Sequence, residues 1–385
     1  MKLGIDISQI VHQGTGVARF TNGLLNAILD NDTNNQWTFL FYSLRKNLDP
    51  QLEKKIKSKG HMLIKWKLPP TFASFLFNDL HELSKILTSN IKHLALLDWF
   101  VTSDWIEFPL SVKKAAIVHD LVYLRYPETA HSKIVSTQKK RLEWVKKESK
   151  IILADSESTK QDLEKFLGID KNKIKVNYPG VEVDIPNPDR TEEILRKYGI
   201  KKPFILTVGK KEPRKNLGRL VKAFNNINNE QIELVIVGPT GWSNMDASNN
   251  RLVLSEVEGL IDTSSKNKIH HLGFVEDGEL FALFKACLFF ILPSIWEGFG
   301  YPVIEAMKLA VPVAVSNTSS LAEITQDAGL LFDPFKVEEI AQVMKKLSSD
   351  EDLRKQLAQK GLERSKLFMW ESYFERMIKA LKSNS

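Results

Sequence analysis

Two glutamates and a short run of cations are the residues whose types and spacing could do chemistry. Glu297 and Glu305 stand eight positions apart around Gly298-Phe299-Gly300-Tyr301-Pro302, and the apolar run Leu288 to Leu292 comes before them. That order predicts a strand, a glycine-rich turn and a helix with Pro302 in its first turn, where a missing N–H costs nothing. Glycines let the backbone approach a ligand closely, and the free amides of a helix start attract an anion. Glu297 would meet a ligand beside the helix mouth and Glu305 would line its side, so that two hydroxyl-rich ends of one molecule are gripped. A favourable first-turn charge and an ordinary helical glutamate explain the same pair without chemistry.

The cations fall in Val208-Gly209-Lys210-Lys211-Glu212-Pro213-Arg214-Lys215-Asn216-Leu217, just before a helical pattern for which Asn216 is the expected N-cap. A pyrophosphate here would meet the Arg214 fork and the Lys215 point charge, with Lys210 as a further cation. A solvated basic loop is the bland reading. Near the start, Gly14-Thr15-Gly16 links a first strand to an amphipathic helix of Phe20, Leu24, Leu25 and Ile28. It is not a dinucleotide fingerprint, because Arg19 occupies the place of the third glycine. Val118-His119-Asp120 ends another apolar strand and so sets His119 at a carboxyl edge, where Asp120 either orients the imidazole or caps the next turn. Ser158 with Gln161 reads as a capping box, and Ser316-Asn317-Thr318-Ser319-Ser320 as a cap whose hydroxyls could also touch a ligand. No His/Cys/Glu cluster has metal-site spacing, so no metal ligands are expected, and no Ser/His/Asp array competes.

These residues need strands to present them. Apolar runs near Lys2 to Ile7, Thr38 to Tyr42, His93 to Leu97, Lys114 to His119, Lys150 to Ala154 and Ile174 to Asn177 fit strands of a first domain. Phe204 to Gly209, Glu233 to Gly238, Ile269 to Gly273, Leu288 to Leu292, Val313 to Ser316 and Gly329 to Phe332 fit a second set, with helices starting near Asn216, Gly278, Tyr301, Leu321 and Val337. Tyr178 to Arg190, rich in Pro, Asp and Asn, reads as the linker. The 385 residues thus predict an α/β protein of two doubly wound domains with a cleft between their strand ends.

The net charge of +7 is concentrated between Lys133 and Lys150, beside Ile134, Val135, Leu142, Trp144 and Val145. Such a basic amphipathic helix suits either a solvated surface or an anionic membrane. Phe72, Phe75, Phe77, Trp99, Phe100, Trp105 and Phe108 make the first half aromatic, for a core or for an acceptor groove. No nucleic-acid-binding motif accompanies the charge. No run reaches the roughly 18 apolar residues of a spanning helix. The first residues read as a strand rather than a signal peptide, so a cytoplasmic location is expected. The single cysteine, Cys287, reads as a buried inert thiol.

The segment from Pro293 to Ala306 resembles the signature of retaining glycosyltransferases of family 4, whose two glutamates flank a Gly-Phe-Gly turn. The likeness runs from about Gly4 to Leu381 and is strongest between Gly209 and Asp333, and it implies the GT-B fold of two Rossmann-like domains. It assigns 1–182, rejoined by a C-terminal helix 369–385, to the acceptor and 183–368 to a nucleotide-sugar donor. In the family the first glutamate contacts the donor sugar and the second the nucleotide ribose, roles that pass to Glu297 and Glu305. Gly298, Phe299, Gly300 and Tyr301 belong to the same donor-binding turn. Pro213-Arg214-Lys215-Asn216 resembles the family's diphosphate loop; many members have arginine after the glycine where Lys210 stands, so Lys210 and Arg214 both stay candidates for the first cation. Gly14 and Gly16 would approach the donor phosphates, and His119 would reach the donor sugar. The motifs are most similar to bacterial mannosyltransferases of surface-polysaccharide assembly. This implies GDP-mannose or, second, a UDP-sugar as donor, a glycan or polyprenyl-linked glycan as acceptor, no further cofactor and a metal-independent reaction.

Two other classes stay open on the residues alone. A nicotinamide-dependent oxidoreductase would need the fingerprint that the chain lacks, whereas a catalytically silent nucleotide- or glycan-binding protein would keep every motif.

Overall fold

The computed structural model describes residues 1–12, 14–201, 203–239 and 269–384. The chain forms two compact units, Met1–Gly180 with Phe368–Ser385, and Val181–Leu367.

Seven parallel strands make the sheet of the first unit: β1 (Lys2–Asp6), β2 (Gln36–Tyr42), β3 (Met62–Trp66), β4 (Trp99–Ser103), β5 (Lys113–Val118), β6 (Ser149–Ala154) and β7 (Ile174–Val176). Their spatial order is β3-β2-β1-β4-β5-β6-β7. The second unit repeats the plan with β8 (Phe204–Val208), β9 (Glu233–Val237), β10 (Ile269–Gly273), β11 (Phe289–Leu292), β12 (Val313–Ser316) and β13 (Gly329–Phe332), in the order β10-β9-β8-β11-β12-β13. Central strands such as β4, β9 and β11 are buried along their whole length, as a parallel sheet covered on both faces requires. The sequence expectation of two doubly wound α/β domains therefore holds.

Each sheet reverses its winding once, between β1 and β4 and between β8 and β11. Ligands of open α/β sheets bind outside the carboxyl ends of the strands at such a switch point. The loops after β1, β8 and β11 are those carrying Gly14, Arg214 and Glu297, so the topology alone brings the singled-out residues to the chemically useful edge.

Four local expectations need correction. His93 to Leu97 is not a strand: Lys92–Ala95 is helical, and the strand follows at Trp99–Ser103. Leu94 from the helical turn and Leu97 from the connection after it are buried in the core beside Phe100 and Phe108, a use that apolar content alone does not distinguish from a strand. β3 went unpredicted because it is an edge strand, half-buried and interrupted by Lys65. Ser158 and Gln161 do not form a capping box; helix Glu157–Leu167 is capped two residues earlier, by Ser156 Oγ accepting from the Thr159 N–H at 3.0 Å. Asn216 does precede helix Leu217–Ile227, but with left-handed backbone (φ 58°) and no capping bond from its side chain.

Much of the aromatic content of the first half is core: Trp99, Phe100 and Phe108 are fully buried, whereas Phe72 and Phe75 are exposed. Cys287 is partly buried, and burial pushes its thiol above the usual range. Helix Trp370–Lys382 packs on helix Gly16–Asn31 within the first unit, Trp370 and Tyr373 meeting Phe20 edge to face at 5.2 and 5.4 Å.

Candidate functional site

In the second unit, β11 ends at Leu292, and Pro293 to Gly300 form a tight loop into helix Tyr301–Lys308, with Pro302 in its first turn as the spacing predicts. Gly300 makes that turn possible: its φ is 102°, and a Cβ there would lie 2.8 Å from Leu321 Cδ2.

Hydroxyls of the next strand-to-helix connection fix the loop. Thr318 Oγ1 donates to the Ile295 carbonyl at 2.9 Å, Ser319 Oγ accepts from the Glu297 N–H at 3.1 Å, and Ser320 Oγ donates to the carbonyls of Glu297 and Phe299. These hydroxyls, read from sequence as caps or ligand contacts, hold the Glu297 backbone in place.

The loop after β8 comes to the same spot. Gly238 (φ 143°) lets it pass, since a Cβ there would lie 2.1 Å from the Gly209 carbonyl oxygen. Asn216, instead of capping, donates through Nδ2 to the Pro293 and Pro334 carbonyls at 3.1 and 2.7 Å, and the Ile295 N–H donates to the Arg214 carbonyl at 2.8 Å. Two loops distant in sequence are thereby clamped together.

Between them the charges meet. Glu297, 8% exposed, accepts from Arg214 Nη1 at 2.9 Å through one carboxylate oxygen and from Lys215 Nζ through the other, while Glu212 takes Arg214 Nε at 3.0 Å. Burial works against the Glu297 charge, but Lys215 and Arg214 outweigh it and pull the carboxyl down to about 2. Lys215 is held below its ordinary value, first by its own burial and then by Arg214, with Glu297 opposing. Lys210 sits half-buried at the start of the loop. Glu305, 2% exposed, lies just over one turn into the helix, and Phe299 and Tyr301 meet edge to face at 5.2 Å. Two cations held by a carboxylate at a strand edge can pass to an anionic ligand, which leaves the carboxylate oxygens free to accept from hydroxyls.

In the first unit the carboxyl edge is built differently. His119, one residue past β5, shares a 2.7 Å hydrogen bond with Asp155, one residue past the neighbouring β6, through Nδ1, and meets Ser103 Oγ at 3.1 Å through Nε2. Burial opposes the imidazolium, yet Asp155 and then Asp104 hold the ring above its usual value. Asp120 caps instead, accepting from the Val122 N–H at 3.1 Å. The partner of His119 was legible only as the acid following the adjacent strand. Phe20 packs on the imidazole at 4.6 Å, from the helix whose start carries Gly14 and Gly16. Gly14 is exposed with φ 78°, and nothing lies within 4 Å of a Cβ built on Gly16.

Asp6 closes β1 of the same sheet. It is buried, its Oδ1 accepts from the Ser8 N–H and hydroxyl at 2.9 and 2.6 Å, and Oδ2 has no hydrogen-bond partner. Burial pushes its carboxyl up to about 7.

A concavity of about 840 Å³ in this unit is lined by Lys46, Lys54, Lys57, Lys65 and Lys67. Glu53 answers Lys57 and Lys65 there and no motif residue lines it, so the strand-edge geometry and not the concavity locates the site. Among the described residues no three His, Cys, Asp or Glu side chains gather as metal ligands, and no helix is long and apolar enough to cross a membrane. Pro239-Thr240-Gly241-Trp242, which follows the strand run ending at Gly238 and whose position in the sequence would bring it toward a nucleotide base, lies from Thr240 on outside the described residues.

Residues 190–364 match the family described as glycosyl transferases group 1. Over 271 residues the chain is 30% identical to O-antigen chain mannosyltransferase B of Escherichia coli, covering 69% of this chain and 68% of that protein. It is 26% identical over 266 residues to O-antigen chain mannosyltransferase RfbU of Salmonella typhimurium, covering 64% and 69%. In three dimensions it is similar to the sucrose-phosphate synthase of Thermosynechococcus elongatus, with a TM-score of 0.74 at 17% identity over 100% of this chain and 98% of that one.

Proposed function

The chain belongs to the group 1 glycosyl transferases, with the two-sheet GT-B fold, and from that premise we propose that it moves mannose from GDP-mannose to a hydroxyl of a glycan or polyprenyl-linked glycan. A UDP-sugar is the second donor. The mannosyl preference is supported by the two O-antigen relatives, and the donor site by the Glu297–Arg214–Lys215 cluster at the switch point of the second sheet, the observation that carries the reading.

In this proposal the second unit binds the donor and the first the acceptor. The nucleotide diphosphate takes Arg214 and Lys215, with Lys210 beside them, and lies against the amides of the Gly298-Phe299-Gly300-Tyr301 turn. Released from its ion pairs, Glu297 accepts from hydroxyls of the donor sugar, while Glu305 accepts from the ribose. Gly14 and Gly16 leave backbone open to the phosphates, and His119, charged through Asp155, donates to the sugar. The acceptor hydroxyl attacks the anomeric carbon on the face from which the diphosphate leaves. The new C–O bond forms as the old one breaks, the hydroxyl proton passes to a phosphate oxygen of the leaving group, and configuration is retained. Charge growing on the diphosphate is stabilised by cations already in position, without a metal ion. The work is done at the cytoplasmic face of a membrane, where a polyprenyl-linked acceptor is presented.

Thermal stabilisation by GDP, UDP, ADP and their sugars, without added metal, tests the donor site, because a ligand of the folded state raises apparent stability. A selective shift with GDP and GDP-mannose is expected. No shift with any nucleotide would overturn the reading in favour of a different ligand.

A further inference from the structure

Helix His81–Ser89 in the first unit is inside out for a helix facing water. His81, Ser84 and Thr88 are buried, whereas Leu83, Ile86 and Leu87, three and four positions apart on the opposite face, are 63%, 65% and 69% exposed. The buried polar groups are satisfied. Ser84 Oγ donates to the Leu76 carbonyl at 2.8 Å, Thr88 Oγ1 donates to the Pro109 carbonyl, and the His81 ring lies between the Phe77 carbonyl and Glu148 while stacking on Trp144 at 4.1 Å. The orientation is therefore built in, and rotating the helix would strand those groups. Phe72 and Phe75 before it and Leu96 after it add exposed apolar surface.

A basic surface adjoins this apolar face. Helix Ser132–Glu148 is tied to the segment by Lys140 on Asp79, Lys147 on Glu82 at 2.9 Å, and Trp144 Nε1 donating to the Asn78 carbonyl at 2.8 Å. Its Lys133, Lys139, Lys140, Lys146 and Lys147 are all exposed.

We infer that this face docks the protein on an anionic lipid bilayer, with Leu83, Ile86 and Leu87 entering the acyl boundary and the lysines of helix Ser132–Glu148 meeting the headgroups. An apolar stripe beside a lysine row is the pattern of helices that lie in a membrane interface. A second copy of the chain would cover the apolar stripe but would bring the same lysine row toward its partner, where like charges repel; anionic headgroups complement it. The inference rests on the proposed lipid-linked acceptor for its purpose and not for its geometry.

Co-sedimentation of the full-length protein with vesicles of phosphatidylcholine, alone or mixed with phosphatidylglycerol, tests it. Binding to the mixed vesicles only, weakened by salt, is expected. Combined Leu83→Ser, Ile86→Ser and Leu87→Ser should lower partitioning roughly a hundredfold, three apolar side chains having left the interface. Combined Lys139→Glu and Lys146→Glu should lower it roughly tenfold and flatten its salt dependence. All these positions are exposed, and nucleotide stabilisation measured in parallel separates lost docking from misfolding and from failure of the donor reading. A serine variant that sediments like its parent overturns the inference. So does a parent that ignores anionic vesicles, and if that parent is a dimer which the serine variant dissolves, the face belongs to a second copy.

Discussion

The carboxyl edges of the two sheets share a topology but not an electrostatic plan. At the edge of the second sheet opposite charges are already matched, Glu297 against Arg214 and Lys215, and the carboxyl is drawn down to about 2. At the edge of the first, acids gather from separate strands: Asp6 ending β1, Asp104 after β4 and Asp155 after β6, each pushed up by burial first, with repulsion from Asp104 on Asp6 and from Asp120 on the other two. One edge holds fixed charges that a ligand can trade for its own. The other holds groups whose protonation responds to pH. In the proposed function, a charged leaving group at one edge and an uncharged hydroxyl at the other would have use for both.

The largest break in this comparison should come from Glu297→Gln. Transfer should fall on the order of a hundred- to a thousandfold, the scale on which a lost polar contact in a catalytic site is felt. Nucleoside diphosphate should bind more tightly than to the parent, since Arg214 and Lys215 no longer have a carboxylate competing for them. Turnover and calorimetric binding measured on the same preparations check this. Binding that weakens together with turnover would mean that Glu297 positions the cations and does not merely occupy them.

A smaller effect is expected at the first edge from Asp155→Asn. Burial already disfavours the His119 imidazolium, and Asp155 is the chief group sustaining it, so the substitution should lower the histidine's pKa. Where the protonated ring is needed, the alkaline limb of kcat/KM then moves to lower pH, and activity at pH 8 drops roughly tenfold while activity on the acid side changes little. An unmoved alkaline limb would make Asp155 a structural partner and remove the titratable character claimed for this edge.

The two edges also differed in how far the sequence disclosed them. The Glu297 cluster comes from two contiguous stretches, Gly209 to Asn216 and Pro293 to Glu305, each a strand–loop–helix whose order of residue types is visible locally. Even there, the clamp by Asn216 and the hydroxyls of Thr318, Ser319 and Ser320 was hidden, because an N-cap and a carbonyl donor on another loop use the same residue types. The first edge is assembled from the ends of β1, β4, β5 and β6, four separate stretches spread from Asp6 to Asp155. Its strand order, not any spacing, makes Asp155 rather than adjacent Asp120 the partner of His119. The inverted helix His81–Ser89 was hidden for a related reason: its apolar positions were visible, but the side they face depends on Leu76, Pro109 and Glu148.

The remaining prediction concerns stability and not transfer, and it falls on Asp6. Its ordinary value is 3.8 and its folded value about 7, so the unfolded chain gives up this proton at lower pH than the folded chain does. Folding therefore takes up a proton between those values; the contribution is fully present below pH 3.8 and is lost as pH rises through 7. Asn at this position keeps an Oδ1 acceptor for the Ser8 N–H and hydroxyl but has no charge to bury. Asp6→Asn should thus be more stable than its parent by on the order of 4 kcal/mol at pH 8, with the advantage shrinking toward zero near pH 4. Denaturant titrations of both proteins at pH 4, 6 and 8 would read this directly. A constant difference across that range would mean that Asp6 is already ionised in the fold, leaving the first edge as a second store of fixed charge and the contrast with Glu297 without basis.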